Sequence, residues 1–169
     1  MDKYLGKKLG GRYEIHKLIG VGGMSYVYKA YDTIDDRTVA VKILKDEYLH
    51  NEEFTRRFKN ESKAIAILSH PNIVRVYDVS FDERLQYIVM EYIHGTTVKK
   101  YIQENGTMKG DEVLERMRPV LQAMEQIHKK GIIHRDISPN NLMITKDHKL
   151  KLIDFGEAIK VESGSEHSV

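Results

Sequence analysis

The chain has 169 residues, with 27 Lys or Arg against 25 Asp or Glu, so its formal net charge at pH 7 is +2. This near-balance argues against a dominant nucleic-acid-binding surface. The absence of cysteine excludes disulfides and cysteine-ligated zinc. Residues 1–11 lack a signal-peptide pattern and no run approaches ~20 apolar residues, so the sequence predicts no membrane segment. We therefore expect a cytoplasmic protein built as one domain or two small lobes.

The first half of the chain has the pattern of a β-sheet with one helix. Alternating apolar and β-branched residues predict five strands: Tyr13–Ile19, Tyr26–Tyr31, Thr38–Leu44, Ile73–Phe81 and Leu85–Glu91. Glu52–Leu68 has apolar residues at helical spacing, and Asn51 is placed to cap its N-terminus.

After Gly95 the pattern becomes helical, beginning near Thr97. A long helix is predicted over Asp111–Lys130, where Pro119 should cause a kink or an earlier break. Its apolar stripe consists of Val113, Leu114, Met117, Val120, Leu121, Met124 and Ile127. Short strands are predicted at 132–133, 142–144 and 149–153, so the chain is of the α+β class.

Two features of the first half indicate a phosphate-binding site. The cluster Gly20-Val21-Gly22-Gly23 lets backbone approach a ligand closely, and because a strand follows it, it reads as a hairpin flap. By itself it could equally be an ordinary glycine-rich turn. Lys42 projects from an apolar strand, and Glu61 on the following helix can pair with it, which favours a lysine that reaches phosphates over a surface lysine.

The motif His134-Arg135-Asp136, followed by Asn141 and Asp154-Phe155-Gly156, carries the chemistry. Asp136 can accept a hydrogen bond from an incoming hydroxyl, while Asn141 and Asp154 offer the oxygen ligands that Mg²⁺ prefers. Each piece alone could be a polar loop. The whole set, in this order and after the glycines and Lys42, favours phosphoryl transfer.

Together these motifs resemble the protein kinase family, of the bacterial serine/threonine type, from about Arg12 to Ala158. The resemblance implies an α+β protein-kinase-like fold: a five-stranded antiparallel N-lobe with one helix, and the beginning of a helical C-lobe. It implies an N-terminal extension (1–11), an ATP-binding lobe (12–93), a partial C-lobe with the catalytic loop and DFG motif (94–158) and a polar tail (159–169). The chain would then be truncated in the activation segment.

The resemblance also implies roles for particular residues and the cofactors ATP and Mg²⁺. Asp136 would be the catalytic base, Lys42 and Glu61 the ion pair, and Asn141 and Asp154 the metal ligands. The implied ATP-binding residues are Ile19, Gly20, Val21, Gly22, Gly23, Ser25, Val27, Ala40, Lys42, Met90, Glu91, Ile93 and Met143. Met90 would be the gatekeeper, Glu91 and Ile93 would meet adenine through their backbones, and Val27, Ala40 and Met143 would sandwich it. The regulatory spine would be Ile65, Val76, His134 and Phe155.

The resulting interpretation is an ATP- and Mg²⁺-dependent kinase, or a fragment of one, acting on serine or threonine hydroxyls of a protein substrate. Ser138 departs from the family, which usually has a lysine there. Two alternatives stay open: a nucleotide-binding pseudokinase module and a small-molecule kinase on the same scaffold. We also expect self-association through the apolar face of the Asp111–Lys130 helix, because nothing predicted in this chain covers it.

Overall fold

The computed structural model describes residues 1–66, 70–107, 109–129 and 142–152. The chain divides into two compact units. The first consists of Met1–Lys59 and Val76–Tyr92, and the second of Asn60–Arg75 and Ile93–Val169. The domain boundaries given above stay a prediction.

The first unit contains a six-stranded antiparallel sheet in the order β1-β2-β3-β4-β6-β5. The strands are β1 (Lys8–Leu9), β2 (Tyr13–Val21), β3 (Ser25–Asp32), β4 (Arg37–Leu44), β5 (Val76–Phe81) and β6 (Gln86–Glu91). The five predicted strands are all present. The extra edge strand β1 was missed because two residues are too few to show an alternating pattern.

Strand β4 is the centre of this sheet and pairs with β3 on one side and β6 on the other. All residues of its Val39–Leu44 segment are buried, so both of its faces are covered. Because alternate side chains point to opposite faces, Val39, Val41 and Ile43 share one face, and Ala40, Lys42 and Leu44 share the other. The first of these faces belongs to the hydrophobic core, which also contains Tyr4, Leu9, Tyr13, Ile15, Tyr28, Ala30, Tyr87 and Val89.

The N-terminal residues are part of this core. Tyr4 and Leu9 are buried in it, and the N–H of Gly6 donates to the carbonyl of Ile15 at 2.9 Å. Gly10 has φ +58°, a backbone conformation that is strained for residues with a side chain. A Cβ there would also lie 2.8 Å from the Tyr87 hydroxyl oxygen, which is too close. Residues 1–11, predicted as an extension, thus contribute to the packing of the sheet.

Helix α1 (Glu52–Ala66) follows a short 3₁₀ turn at Asp46–Tyr48. The predicted cap is confirmed, because the N–H of Phe54 donates to Asn51 Oδ1 at 2.9 Å. The Phe54 ring lies between Tyr48 and Phe58, with centroid distances of 5.4 and 6.3 Å. These contacts attach the start of α1 to the first unit.

Among the described residues, the second unit has a three-stranded antiparallel sheet in the order β7-β8-β9, two helices of its own and the end of α1 from Asn60 onwards. Its elements are β7 (Gly95–Thr97), α2 (Val98–Asn105), α3 (Gly110–Lys129), β8 (Leu142–Thr145) and β9 (Leu150–Leu152). Strand β7 was not predicted. It requires glycine at its first position, because a Cβ on Gly95 would clash with the carbonyl of Ile144 on β8.

Pro119 was expected to cause a kink or an earlier break. Helix α3 runs through Pro119 without a break, so the break is wrong, and the kink stays a prediction. Proline removes one backbone hydrogen bond from the helix, and the neighbouring Val120 is fully buried. In contrast, Val113, Leu114 and Leu121 are exposed, by 40%, 71% and 56%. In the part of the chain that the structure describes, no helix has the length and apolar character to cross a membrane.

A polar cluster closes the β3–β4 hairpin. Asp32 is only 1% exposed and accepts hydrogen bonds from Arg12 Nε and Nη2, both at 2.8 Å, and from the backbone N–H groups of Ile34 and Asp35. The Arg12 guanidinium, helped by these backbone donors, lowers the pKa of Asp32 from 3.8 to about 2.

The lowered pKa of Asp32 predicts a pH dependence of stability. Because the folded pKa lies below the unfolded one, the contribution of Asp32 is fully present above about pH 4 and is lost as the pH falls towards 2. Asp32→Asn should cost about 1–3 kcal/mol at pH 7, because it leaves Arg12 with only the half-exposed Asp35 as a charged acceptor. It should also flatten the dependence between pH 4 and 2, measured by urea unfolding with circular dichroism.

The matched control is Asp35→Asn, since Asp35 contacts the same Arg12 but is half exposed. An equal loss of stability in the two variants would contradict the special role of the buried carboxylate.

Candidate functional site

The glycine cluster forms the end of the β2–β3 hairpin. We call residues 20–25 the glycine flap. The N–H of Gly22 donates to the carbonyl of Ser25 at 2.8 Å, and Gly20 lies opposite Val27 after a register shift in β2. The flap begins in an exposed stretch, since Val21 is 65% exposed and Ile19 nearly half exposed. The exposed apolar side chains could contact a flat ring of a ligand, and the glycine backbone could approach the phosphates of the same ligand closely.

Lys42 lies in the middle of β4, directly opposite Val27 on β3 and Ile88 on β6. It is only 7% exposed. A buried ammonium is costly unless polar groups or charges meet it, so a lysine in this position indicates a functional role more strongly than a surface lysine would.

Several predicted ATP-binding residues occupy the same face of the sheet as Lys42. Ala40 lies two residues before Lys42 and is paired with Met90 on β6. Residues directly opposite each other share a face, so Gly20 and Val27 also belong to this one. This face is the reverse of the tyrosine-rich core. It combines the buried ammonium of Lys42, the small side chain of Ala40 and the glycine backbone at Gly20.

The remaining predicted site residues are distributed as follows. Glu91 ends β6 opposite Val39, so its side chain belongs to the core face, and only its backbone could serve a ligand on the Lys42 face. Ile93 is buried and Met143 lies on β8 opposite Thr97; both belong to the second unit. Their participation in one site with the first unit stays a prediction.

The predicted chemistry of Asp136, Asn141 and Asp154 lies outside the described residues, as do His134 and Phe155. Position 61 is within α1, but the side chains of Glu61 and Ile65 are not described, so the Lys42–Glu61 pair stays a prediction. Across residues 1–66, 70–107, 109–129 and 142–152, no three acidic or histidine side chains converge as a metal site. The predicted metal ligands are not among these residues.

Sequence reasoning missed the groups that hold the glycine flap. The carbonyl of Met24 accepts from the N–H of Lys45 at 2.8 Å, and the Tyr48 hydroxyl lies 3.4 Å from the carbonyl of Gly23. These contacts join residues more than twenty positions apart, and each is accepted by a main-chain carbonyl of the flap, which leaves no signal in the sequence pattern.

Sequence comparison gives the family. Residues 13–169 match the protein kinase domain family. The chain belongs to the protein kinase family, which confirms the predicted family and its α+β fold.

Similar proteins include bacterial serine/threonine kinases. A probable serine/threonine-protein kinase of Clostridium perfringens is 48% identical over 161 residues, covering 95% of this chain and 24% of that protein. Serine/threonine-protein kinase PrkC of Bacillus subtilis is 44% identical over 159 residues, covering 94% and 24%. The solved kinase domain of Mycobacterium tuberculosis PknI has a TM-score of 0.79 at 29% identity, covering 89% of this chain and 62% of that one. The chain thus spans about a quarter of the length of the curated relatives it matches.

Proposed function

We propose that this chain carries the nucleotide-binding and catalytic residues of a serine/threonine protein kinase that uses ATP and Mg²⁺. The observation that carries the proposal is the buried Lys42 on the face shared with Gly20, Val27, Ala40 and Met90. The names of the similar bacterial kinases support the same activity.

In the proposed complex, Lys42 neutralises charge on the α- and β-phosphates, and backbone N–H groups of the glycine flap cover the phosphates. Val27 and the small Ala40 leave room for a flat adenine ring, whose edge meets the backbone of Glu91 and Ile93. Met143 is a further adenine-contacting residue by its resemblance to the family. Met90 limits the depth of the site.

Phosphoryl transfer then depends on the residues after position 133. Asp136 accepts the proton of the substrate hydroxyl, whose oxygen bonds to the γ-phosphorus while the bond to the β,γ-bridging oxygen breaks and ADP leaves. Asn141 and Asp154 would hold Mg²⁺, which supplies charge stabilisation to the phosphate oxygens. We propose that this takes place in the cytoplasm, where ATP is available, on serine or threonine of a protein substrate.

The proposal predicts that ATP binding requires Mg²⁺ and the charges assigned to the site. Lys42→Ala and Asp154→Ala should each weaken Mg²⁺–ATP binding about 10–100-fold, because each removes a charge-assisted contact. Isothermal titration calorimetry measures both affinities.

Lys17→Ala is the matched control, since Lys17 is an exposed lysine on β2 and should leave affinity unchanged. Affinities for both site variants equal to that of the unaltered chain would refute the assignment.

A second prediction concerns the transfer step, measured in a longer protein that contains the complete catalytic domain. Asp136→Asn should keep ATP affinity while the transfer rate falls about 10²–10⁴-fold, because a positioned general base is lost. Incorporation of radiolabelled phosphate into a generic protein substrate measures the rate.

For comparison, Asp147→Asn alters an exposed aspartate in the β8–β9 turn and should retain the rate. If Asp136→Asn were equally active, Asp136 would not be the base.

The exposed side chains Val113, Leu114 and Leu121 on α3 support the proposed self-association of this chain. Leu114→Glu combined with Leu121→Glu should shift the chain to monomer in analytical ultracentrifugation, because charges on an apolar contact must be desolvated. Ile34→Glu, which changes an equally exposed residue in the β3–β4 turn, should have no effect. Identical sedimentation of all three proteins would exclude α3 as the contact.

A further inference from the structure

The N-terminal residues contact the connection between β4 and α1. Lys3 Nζ lies 2.7 Å from Asp46 Oδ2, and the Tyr4 hydroxyl lies 3.5 Å from Asp46 Oδ1. We call residues 2–4 the N-terminal clip and residues 45–48 the β4–α1 connection. Lys3 and Asp46 are both more than half exposed, so their ion pair alone contributes little.

The clip is fixed mainly by burial. Tyr4 is 7% exposed and packs edge-on against Tyr28 of β3, with ring centroids 6.0 Å apart. The Tyr28 hydroxyl donates to Asp2 Oδ2 at 2.9 Å, and Asp2 Oδ1 also accepts from the N–H of Tyr4 at 2.8 Å. The buried Tyr4 ring and the hydrogen-bonded Asp2 carboxylate hold the clip against the sheet at a defined place.

The β4–α1 connection in turn holds the tip of the glycine flap. The N–H of Lys45 donates to the carbonyl of Met24 at 2.8 Å. Met24 and Ser25 are buried, although Val21, earlier in the flap, is exposed. The Tyr48 ring contacts Phe54, so the same connection also orders the start of α1. The position of the tip therefore depends in part on where residues 45–48 lie.

We propose that the N-terminal clip is a positioning element for the glycine flap and thereby sets the affinity for the phosphate groups of the nucleotide. This inference rests on the proposed ATP-binding function. The route runs from Tyr4 and Lys3 through Asp46 to Lys45 and then to the Met24 carbonyl. A flap that is already held in its binding conformation loses less conformational entropy when phosphates bind.

The first test compares ATP with adenosine, because only ATP has the phosphates that the flap would cover. Tyr4→Ala should weaken Mg²⁺–ATP binding about 3–10-fold, the effect of freeing one or two ordered groups, and leave adenosine affinity unchanged. Tyr4→Phe, which keeps the ring, should retain most of the ATP affinity. The matched control is Tyr31→Ala, at the other end of the β2–β3 hairpin, which should change neither affinity. Equal loss for ATP and adenosine would overturn the proposal, because a general destabilisation acts on both.

A charge exchange tests the link through Asp46 without removing a buried ring. Lys3→Glu and Asp46→Lys should each weaken ATP binding, since each replaces the attraction between Lys3 Nζ and Asp46 Oδ2, which lie 2.7 Å apart, with repulsion between like charges. The double variant should recover the affinity. Failure of the double variant to recover would exclude the Lys3–Asp46 contact from the route.

Hydrogen exchange tests the coupling without any nucleotide. In Tyr4→Ala the Lys45 amide should exchange faster than in the unaltered chain, while β6 amides keep their rates. Unchanged exchange at Lys45 would overturn the proposal. If the unaltered chain bound neither ATP nor adenosine but Tyr4→Ala still accelerated exchange at Lys45, the proposed function would fail while the coupling between clip and flap would stand.

Discussion

The burial of one lysine within an apolar strand is the constraint on which the first unit depends. Strand β4 is covered on both faces from Val39 to Leu44, and Lys42 is in the middle of this segment. Desolvating an ammonium is tolerated only where the surroundings compensate its charge, so the two faces of β4 must differ. One face is filled by the tyrosine-rich core, and the other brings Lys42 beside Ala40 and Met90.

The β2–β3 hairpin has a base that is fixed by hydrogen bonds and an end that is exposed. At its base, Arg12 and the buried Asp32 close the β2 and β3 strands through two hydrogen bonds of 2.8 Å. Towards its end, β2 loses burial on both faces and shifts register twice relative to β3. The glycine flap is thus connected to a fixed sheet on one side and to the β4–α1 connection on the other. This arrangement lets a backbone segment cover a ligand without being part of the packed core.

Local patterns were sufficient wherever the structure is decided by neighbours in the chain. The alternation of apolar and polar residues located the five long strands. Asn51 marked the start of α1, because its side-chain oxygen caps the first turn. They failed where a distant contact decides: β1 and β7 are strands only because β2 and β8 pair with them. At Pro119 the residue type favoured a kink or a break, but the helix continues through it, next to the buried Val120.

The sequence by itself determined the family, the α+β class and the residue types of the site, because motifs and periodicity are local properties of the chain. For Asp136, Asn141 and Asp154 it remains the only source of the assignment. The tertiary structure decided that Gly20, Val27, Ala40, Lys42 and Met90 share one face, because strand register depends on pairing between distant segments. It also decided that Tyr4 is buried in the core of the sheet. The physical reason is that burial is a property of the partner surface, here Tyr28 and the strands around it, which the pattern near Tyr4 does not contain.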